Sequence, residues 1–428
     1  MTYNDVETVS RTELRDLQDE RLVETIERVH ENVQFYRDRL DEAGIDPADV
    51  DGVDDLPDLP FTTKEDFRDQ YPDHHFAVDR AEVIRIHASS GTTGKPKVVG
   101  YTRGDVDVWR EVMARSLAAA GVDADDTFQN AYGYGLFTGG MGFHEGVEEL
   151  GATVIPTGGG NTARQIEMLQ DLESDAFGST PSYCLYLAEQ AKEQGVDVRE
   201  LPVSTVVIGA EPFTDAMRDE IEARLGVNAI DIYGLSELIG PGVSVECVEA
   251  QDGLHVWEDH FYPEVVDPGT GEPLPEGEEG ELVLTSLTKE AVPVIRYRTG
   301  DMTSLTREPC ECGRVHVRMD NVTGRADDQL IVRGINVYPS QIESVVLEFD
   351  EVAPHYRIDL DREENLDTIA ITVELVEGFE GDPDDLRERI ERRLRSVLSL
   401  RPDELDVVPP GGIERQETGK VKRVWDHR

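Results

Sequence analysis

Lysine is scarce in this chain of 428 residues: only seven of its 41 basic residues are lysines. Positive charge as a whole is sparse, since 90 acidic residues bring the formal net charge to −49. Such a chain repels a phosphate backbone, which excludes a nucleic-acid duplex as a partner. The acids are spread between apolar positions in every segment, with no acidic tail. That distribution resembles proteins of salt-accumulating halophiles, whose dense surface carboxylates hold water while salt screens their repulsion. Cysteine is also rare. Four in so long a chain do not make a disulfide framework. No apolar run approaches the ~20 residues that span a bilayer, and the opening Met-Thr-Tyr-Asn-Asp is acidic rather than a basic signal segment. A cytoplasmic protein with no membrane partner is expected.

The few lysines are concentrated. Four of them, Lys95, Lys97, Lys420 and Lys422, lie in two glycine-containing stretches. The first, residues 88–97, reads Ala-Ser-Ser-Gly-Thr-Thr-Gly-Lys-Pro-Lys and follows the strand-like run Val83-Ile84-Arg85-Ile86. Glycines let the backbone approach an anion, consecutive N–H groups form a nest, and hydroxyls with ammonium groups complete the cradle. It is not a Walker A loop: two residues separate Gly91 and Gly94, and Pro96 follows Lys95. The stretch predicts a loop that holds a nucleoside triphosphate.

Ser-Ser-Gly-Thr-Thr-Gly-Lys-Pro-Lys resembles the pyrophosphate-gripping motif of the adenylate-forming superfamily. Further motifs of that superfamily follow in order. Tyr233-Gly234-Leu235-Ser236-Glu237 resembles its adenine and magnesium motif, and Tyr297-Arg298-Thr299-Gly300-Asp301 its ribose motif. Gly324-Arg325-Ala326-Asp327-Asp328 with Arg333-Gly334 resembles its hinge, and Thr418-Gly419-Lys420 its C-terminal catalytic lysine. Within the superfamily the chain is most similar to the phenylacetate–CoA ligase type. Leu59-Pro60-Phe61-Thr62-Thr63-Lys64, Tyr132-Gly133-Tyr134-Gly135-Leu136-Phe137-Thr138-Gly139-Gly140 and the run from Arg333 to Glu343 carry that likeness, which covers nearly the whole chain.

The resemblance implies an ATP-dependent, AMP-forming ligase that joins an aryl acid, phenylacetate foremost, to coenzyme A. Ser89, Ser90, Gly91, Thr92, Thr93, Gly94, Lys95 and Lys97 would hold the β,γ-phosphates, and Glu237 would ligate Mg²⁺. Tyr233 would stack on adenine, with Gly209, Ala210, Glu211, Asp231, Gly234 and Ser236 lining the same crevice. Asp301 suits a bidentate contact to the ribose hydroxyls, and Arg325 would support ribose or phosphate. Lys420 would bring its ammonium to the acid carboxylate and the α-phosphate; Lys422, two residues on, is the alternative register. Asp327 would be the hinge about which the C-terminal domain rotates, bringing Arg333 and Gly334 to the thiol of CoA. A second reading stops at adenylation of a deazaflavin cofactor or another acid. A third, a catalytically silent nucleotide-binding protein, conflicts with the presence of Lys95, Glu237, Asp301 and Lys420 together. The family also makes a homodimer plausible.

Tyr132, Phe137, Gly139, Ile239 and Pro241 come from the two segments that in this family wrap the acid, and aromatic plus small residues suit a flat ring on a short arm. Cys247, His255, Cys310 and Cys312 are four ligand types for a closed, structural zinc site, with Gly313 freeing the turn after the last sulfur. Buried or vestigial thiols are the alternative. Cys184 reads as core, and His87 and His144 as local packing or pocket-lining residues.

The fold expectation is α/β. A large N-terminal adenylate-forming domain, residues 1–326, combines a layered α/β body with a β-barrel subdomain at 243–320. A small C-terminal ferredoxin-like α+β domain, residues 327–428, acts as a mobile lid, with strand 329–332, helix 340–349, strands 355–360 and 367–376, helix 384–398 and strand 404–408. Apolar residues at three- and four-residue steps predict one helix over 11–43. Strands are expected at Val203–Ile208, Ala229–Ile232, Glu281–Thr285 and Val294–Arg298, and a helix at Asp215–Leu225.

Overall fold

The computed structural model describes residues 2–88, 96–211, 213–326, 330–332, 335–363, 366–415 and 421–428. Contacts divide the chain into two compact units. The first holds Met1–Ser179, Leu201–Ala210 and Asn228–Asn321; the second holds Thr180–Glu200, Glu211–Val227 and Val322–Arg428. Among the described residues no helix is long and apolar enough to cross a membrane.

The first unit is built on a nine-stranded sheet. Five parallel strands, Thr153–Ile155, Thr127–Asn130, Ala176–Ser179, Thr205–Gly209 and Asn228–Leu235, lie side by side in that order. Four antiparallel strands extend it: Gly240–Glu246, Leu254–Val256, Arg318–Met319 and Leu305–Thr306. Ala176–Ser179 and Thr205–Gly209 are buried along their whole length. This is why they read as continuous rather than alternating runs, the pattern of parallel strands covered on both faces. The helix Arg103–Ala119 starts at Thr102, whose hydroxyl accepts from the Asp105 N–H while the Asp105 carboxylate accepts from the Thr102 N–H. That reciprocal cap fixes where the helix begins and points Val106, Trp109, Val112 and Met113 into the core.

The expected single helix at 11–43 is two, Arg11–Asn32 and Gln34–Ala43, broken at Val33 with φ −117° and ψ 109°. Across the break the Val33 N–H still donates to the Val29 carbonyl at 2.9 Å. It turns the second helix so that Tyr36 and Leu40 join Leu22, Ile26, Leu56, Leu287 and Ile295 in one apolar cluster. Burial outweighs the loss of one helical step.

The β-rich stretch 243–320 divides rather than forming a single body. Phe261–Val266, Gly280–Ser286 and Tyr297–Thr303 make an antiparallel sheet of their own, while the other strands of that stretch extend the large sheet. The strand expected at Val294–Arg298 starts later, at Tyr297. Arg296 has φ 46° and is 2% exposed, its guanidinium bidentate to Glu264 at 3.0 and 3.1 Å and also donating to the Pro57 and Leu59 carbonyls. A buried charge fully paired in this way overrides the β-propensity of its neighbours.

In the second unit Val352–Glu363 and Leu366–Leu375 form an antiparallel pair. Glu404–Val408 lies parallel to the latter and Val424–Asp426 parallel to the former. The helices Pro339–Val346 and Pro383–Leu398 place Ile342, Val345, Val346, Leu386, Ile390 and Leu394 against this sheet. The first expected strand is present as Leu330–Val332, but it pairs locally with Ile335–Val337, and Val424–Asp426 supplies the fourth strand of the sheet. Closing a two-strand hairpin over so few residues takes little chain entropy, which explains the preference. The helices Pro181–Glu193 and Asp215–Leu225 belong to the same unit, the latter with the predicted bounds.

Candidate active site

The parallel strands of the first unit end on one rim. The register sets Asn130 beside Gly178, Ser179 beside Ile208, and Gly209 beside Ile232. Carboxyl ends of parallel strands are where open α/β sheets bind ligands, because the chain leaves them as loops free to vary. Two predicted glycines there are required by close approach: a Cβ on Gly209 would lie 2.2 Å from the Ile232 carbonyl oxygen, and one on Gly234 would lie 2.0 Å from that of Gly240. Ala210, just beyond the strand, holds φ 71°, a strained conformation of the kind that clusters at functional sites.

Glu237 is 3% exposed and its carboxylate is fully engaged. It accepts from the Lys97 ammonium, from the Tyr297 hydroxyl at 2.8 Å and from the Ser236 hydroxyl at 2.8 Å. Lys97 and Glu237, 140 positions apart in sequence, form a mostly buried ion pair. A buried carboxylate needs such partners to stay ionised. The strand Tyr297–Thr303 buries Tyr297, Thr299 and Asp301, and after them Met302 and Thr303. Tyr297 reaches Glu237, while Asp301 accepts from the Tyr233 hydroxyl at 2.6 Å. One strand thus reaches both the expected magnesium carboxylate and the expected ribose carboxylate. Tyr297 had no assigned role in the sequence, although it opens the ribose motif. Asp231 sits two residues before Tyr233, its N–H donating to Glu246 at 2.8 Å.

The donor set around Glu237 fits a magnesium ion. The Glu237 carboxylate is a hard, anionic donor, and one of its oxygens already faces a cation, the Lys97 ammonium.

In the second unit Glu211 accepts from the Ser182 hydroxyl at 2.6 Å and from the Val421 N–H at 2.9 Å. Lys422 lies over the Trp425 ring, 5.3 Å from its centroid. Arg325 is half-buried on the short strand Gly324–Arg325. Ser89, Ser90, Gly91, Thr92, Thr93, Gly94, Lys95, Asp327, Gly334 and Lys420 lie outside the described residues.

The segments expected to wrap the acid meet in part. Tyr132 donates its hydroxyl to the Ser179 carbonyl and stacks on Phe143 at 4.7 Å with 15° between planes, and Gly139 faces the Tyr132 ring. Ile239 and Pro241 are neighbours whose carbonyls accept from the Tyr101 hydroxyl at 2.8 Å and the Trp109 indole N–H at 3.1 Å. Phe137 differs: it is 54% exposed. Phe143, not singled out from sequence, backs Tyr132 from the helix Gly139–Leu150. Cys184 is fully buried, as expected of a core thiol.

Cys247, His255, Cys310 and Cys312 converge, with one ligand atom from each lying within 4.8 Å of the others. The Cys247 and Cys310 sulfurs are 3.6 Å apart, and the Cys312 sulfur is 3.3 Å from His255 Nε2. Four ligands about 2.0–2.3 Å from a tetrahedral zinc ion stand about 3.5–3.8 Å from one another, so the cluster is near the required size. The hydrogen bond from the Cys247 thiol, with one from His255, holds the Cys312 thiol well below the usual range, while Cys247 is pushed up. A thiolate is therefore already favoured at one corner, the form that binds metal.

Comparison with known proteins agrees with this geometry. The family profile of the AMP-binding enzymes matches residues 9–288, and that of the AMP-binding enzyme C-terminal domain matches residues 334–428. The phenylacetate-coenzyme A ligase of Thermus thermophilus is 53% identical over 444 aligned positions, covering 100% of both chains. The enzyme of that name from Escherichia coli is 49% identical, over 99% of this chain and 97% of its own. Among solved structures, a 2-hydroxyisobutyryl-CoA ligase in the postadenylation state superposes with a TM-score of 0.92 at 29% identity, covering 99% of this chain and 91% of that one. Fold and rim define the class of AMP-binding, adenylate-forming enzymes. The chain belongs to the phenylacetate–coenzyme A ligase family of that class.

Proposed function

We propose that this chain is an ATP-dependent, AMP-forming ligase that joins an aryl acid, phenylacetate, to coenzyme A through an acyl-adenylate. The supporting observation is full-length identity of about half to ligases of that name, joined to a rim where Glu237, Lys97 and Tyr297 meet and Tyr233 holds Asp301. In the first half-reaction an oxygen of the acid attacks the α-phosphorus of ATP and the bond to pyrophosphate breaks. In the second, the CoA sulfur attacks the acyl carbonyl, loses its proton, and AMP leaves.

The protein's task is to position anions and offset their repulsion. Lys97 exchanges its carboxylate partner for phosphate oxygens when ATP enters, which frees Glu237 to hold magnesium. The magnesium ion would neutralise charge on the phosphates. Asp301 holds the ribose, with Tyr233 fixed against it by the 2.6 Å hydrogen bond. The loop at 89–95 grips the leaving pyrophosphate, Lys420 serves adenylation, and Asp327 is the hinge of the 327–428 lid. Relatives named for thioester formation favour CoA over the deazaflavin reading.

The test is pyrophosphate release in molar KCl across a panel of aryl and aliphatic acids, with and without CoA. Release with phenylacetate and a CoA-dependent thioester are expected. Release without thioester would move the assignment to adenylation alone, and silence across the panel would overturn it. Molar salt is chosen because the net charge of −49 calls for screening.

We further propose that the Cys247, His255, Cys310, Cys312 cluster holds structural zinc, since four protein ligands leave no open position. Purified protein should contain one zinc per chain, and chelation should lower Tm by roughly 5–10 °C. A metal-free preparation whose melting curve ignores the chelator would refute the site.

A further inference from the structure

Lys289 is one of the seven lysines and is buried, yet among the described residues its ammonium has no hydrogen-bond partner. It sits 3.4 Å from the centroid of the Tyr101 ring. Burial lowers its pKa to about 8, opposed by the nearby Asp105 carboxylate. Asp105 is itself committed: it accepts from the N–H groups of Thr102, Glu290 and Ala291, which anchors the chain just after Lys289. A buried cation satisfied only by a ring face is costly, and a group kept in that state calls for an explanation.

Three more side chains complete the cluster. Trp109 stacks on Tyr101 at 5.1 Å with 17° between planes, so the two faces of the Tyr101 ring carry Trp109 and Lys289. His87 meets both rings edge-on, at 5.5 and 5.6 Å. Burial lowers the His87 pKa, which keeps the ring neutral, and its Nδ1–H donates to the Leu136 carbonyl at 3.1 Å. The same carbonyl accepts from the Ala88 N–H at 3.0 Å, at the end of the strand that leads into the phosphate loop. His87 Nε2 is buried with no partner among the described residues, the second such atom in this cluster.

Each polar group that the cluster does satisfy reaches a backbone carbonyl in the segments assigned to the acid. The Tyr101 hydroxyl holds the Ile239 carbonyl, the Trp109 indole that of Pro241, and the His87 imidazole that of Leu136. A cation on the ring face draws density from the phenol and strengthens its O–H as a donor, most strongly where water is excluded.

We propose that Lys289, Tyr101, Trp109 and His87 are positioning residues that set which acids the enzyme accepts, by fixing the carbonyls of Leu136, Ile239 and Pro241. None of them touches the acid. They act through the walls, and a wall displaced by a fraction of an ångström changes which ring fits. This inference rests on the assignment of Ile239 and Pro241 to the acid pocket and of the reaction to aryl-acid activation.

The experiment compares wild type, Lys289→Met and Tyr101→Phe in pyrophosphate release with phenylacetate, benzoate and an aliphatic acid, alongside melting curves. Wild-type turnover of phenylacetate is read first. Its absence would overturn the proposed function and this inference with it. With wild type active, Lys289→Met should raise KM for phenylacetate about tenfold and shift the phenylacetate-to-benzoate ratio of kcat/KM at least about fivefold, with KM for ATP within about twofold. Tyr101→Phe deletes one oxygen, so the chain folds even if Lys289→Met does not, and it should move the same ratio by about threefold. A structural cluster would lower Tm without changing the ratio. Unchanged acid KM and selectivity in the folded variants, or equal losses for acid and ATP, would overturn the inference.

Discussion

Replacing Lys420 by alanine is expected to lower acyl-adenylate formation from acid and ATP by about 10²–10³-fold, while thiolation of preformed acyl-adenylate stays within about threefold. The asymmetry follows from where charge develops. In adenylation an anionic acid closes on an anionic phosphate, and negative charge gathers on the oxygens around phosphorus. An ammonium placed there stabilises the transition state more than the separated reactants. In thiolation charge develops instead on the acyl carbonyl and on the oxygen that leaves with AMP, after the proposed rotation about Asp327 has withdrawn Lys420, so the same cation has little to do. Lys422 provides the control. Its ammonium is 5.3 Å from the Trp425 ring centroid, and Lys422→Ala should cost either half-reaction less than about fivefold. Single-turnover assays with radiolabelled acid, and separately with synthetic acyl-adenylate, measure the two steps. Equal loss in both steps for Lys420→Ala would remove its assignment to adenylation. An adenylation defect in Lys422→Ala instead would move the role two residues along.

Much of the fold was legible wherever local pattern and burial agree. The parallel strands read as apolar runs because helices and loops cover both faces, and the helix Asp215–Leu225 matches its expected bounds because Thr214 caps it and Gly226 ends it in the left-handed region. Legibility failed where distant residues decide. Nothing near Val33 announces the helix break, which serves contacts with Leu287 and Ile295. Nothing near Arg296 announces its turn, which serves Glu264 and two carbonyls some 240 positions earlier. The candidate site divides in the same way. Glu237, Asp301 and Lys97 stand in motifs whose spacing can be read, whereas Tyr297 shows its role only when its hydrogen bond to Glu237 is seen, and Lys289 only when its buried ammonium is found over Tyr101. The cluster of Cys247, His255, Cys310 and Cys312 was legible by residue type, but the separations come from the sheet: His255 pairs with Arg318, which draws the segment of Cys310 and Cys312 toward Cys247.

Glu237→Gln should lower kcat/KM for adenylation by about 10²-fold and raise the magnesium concentration at half-saturation by at least about tenfold. Glutamine preserves the shape: its one oxygen can still accept from the Tyr297 hydroxyl while its NH2 donates to the Ser236 hydroxyl, so the substitution removes charge rather than volume. Two roles of the carboxylate then separate. As counterion, Glu237 stabilises the fold through Lys97, and since both side chains are mostly buried, loss of that charge should destabilise the protein by roughly 3 kcal/mol. As metal ligand, Glu237 supplies one hard anionic oxygen, and its loss appears in the metal titration at fixed ATP. Lys97→Met discriminates between them. It should destabilise by a similar amount, by leaving the carboxylate unpaired, yet keep the magnesium half-saturation near that of wild type and raise KM for ATP instead. If Glu237→Gln lowers Tm while the magnesium titration stays in place, the carboxylate is only the partner of Lys97, and the ion must be held elsewhere on the rim. If the titration shifts, the Lys97 pair is the resting form of the magnesium site, exchanged for phosphate when ATP arrives.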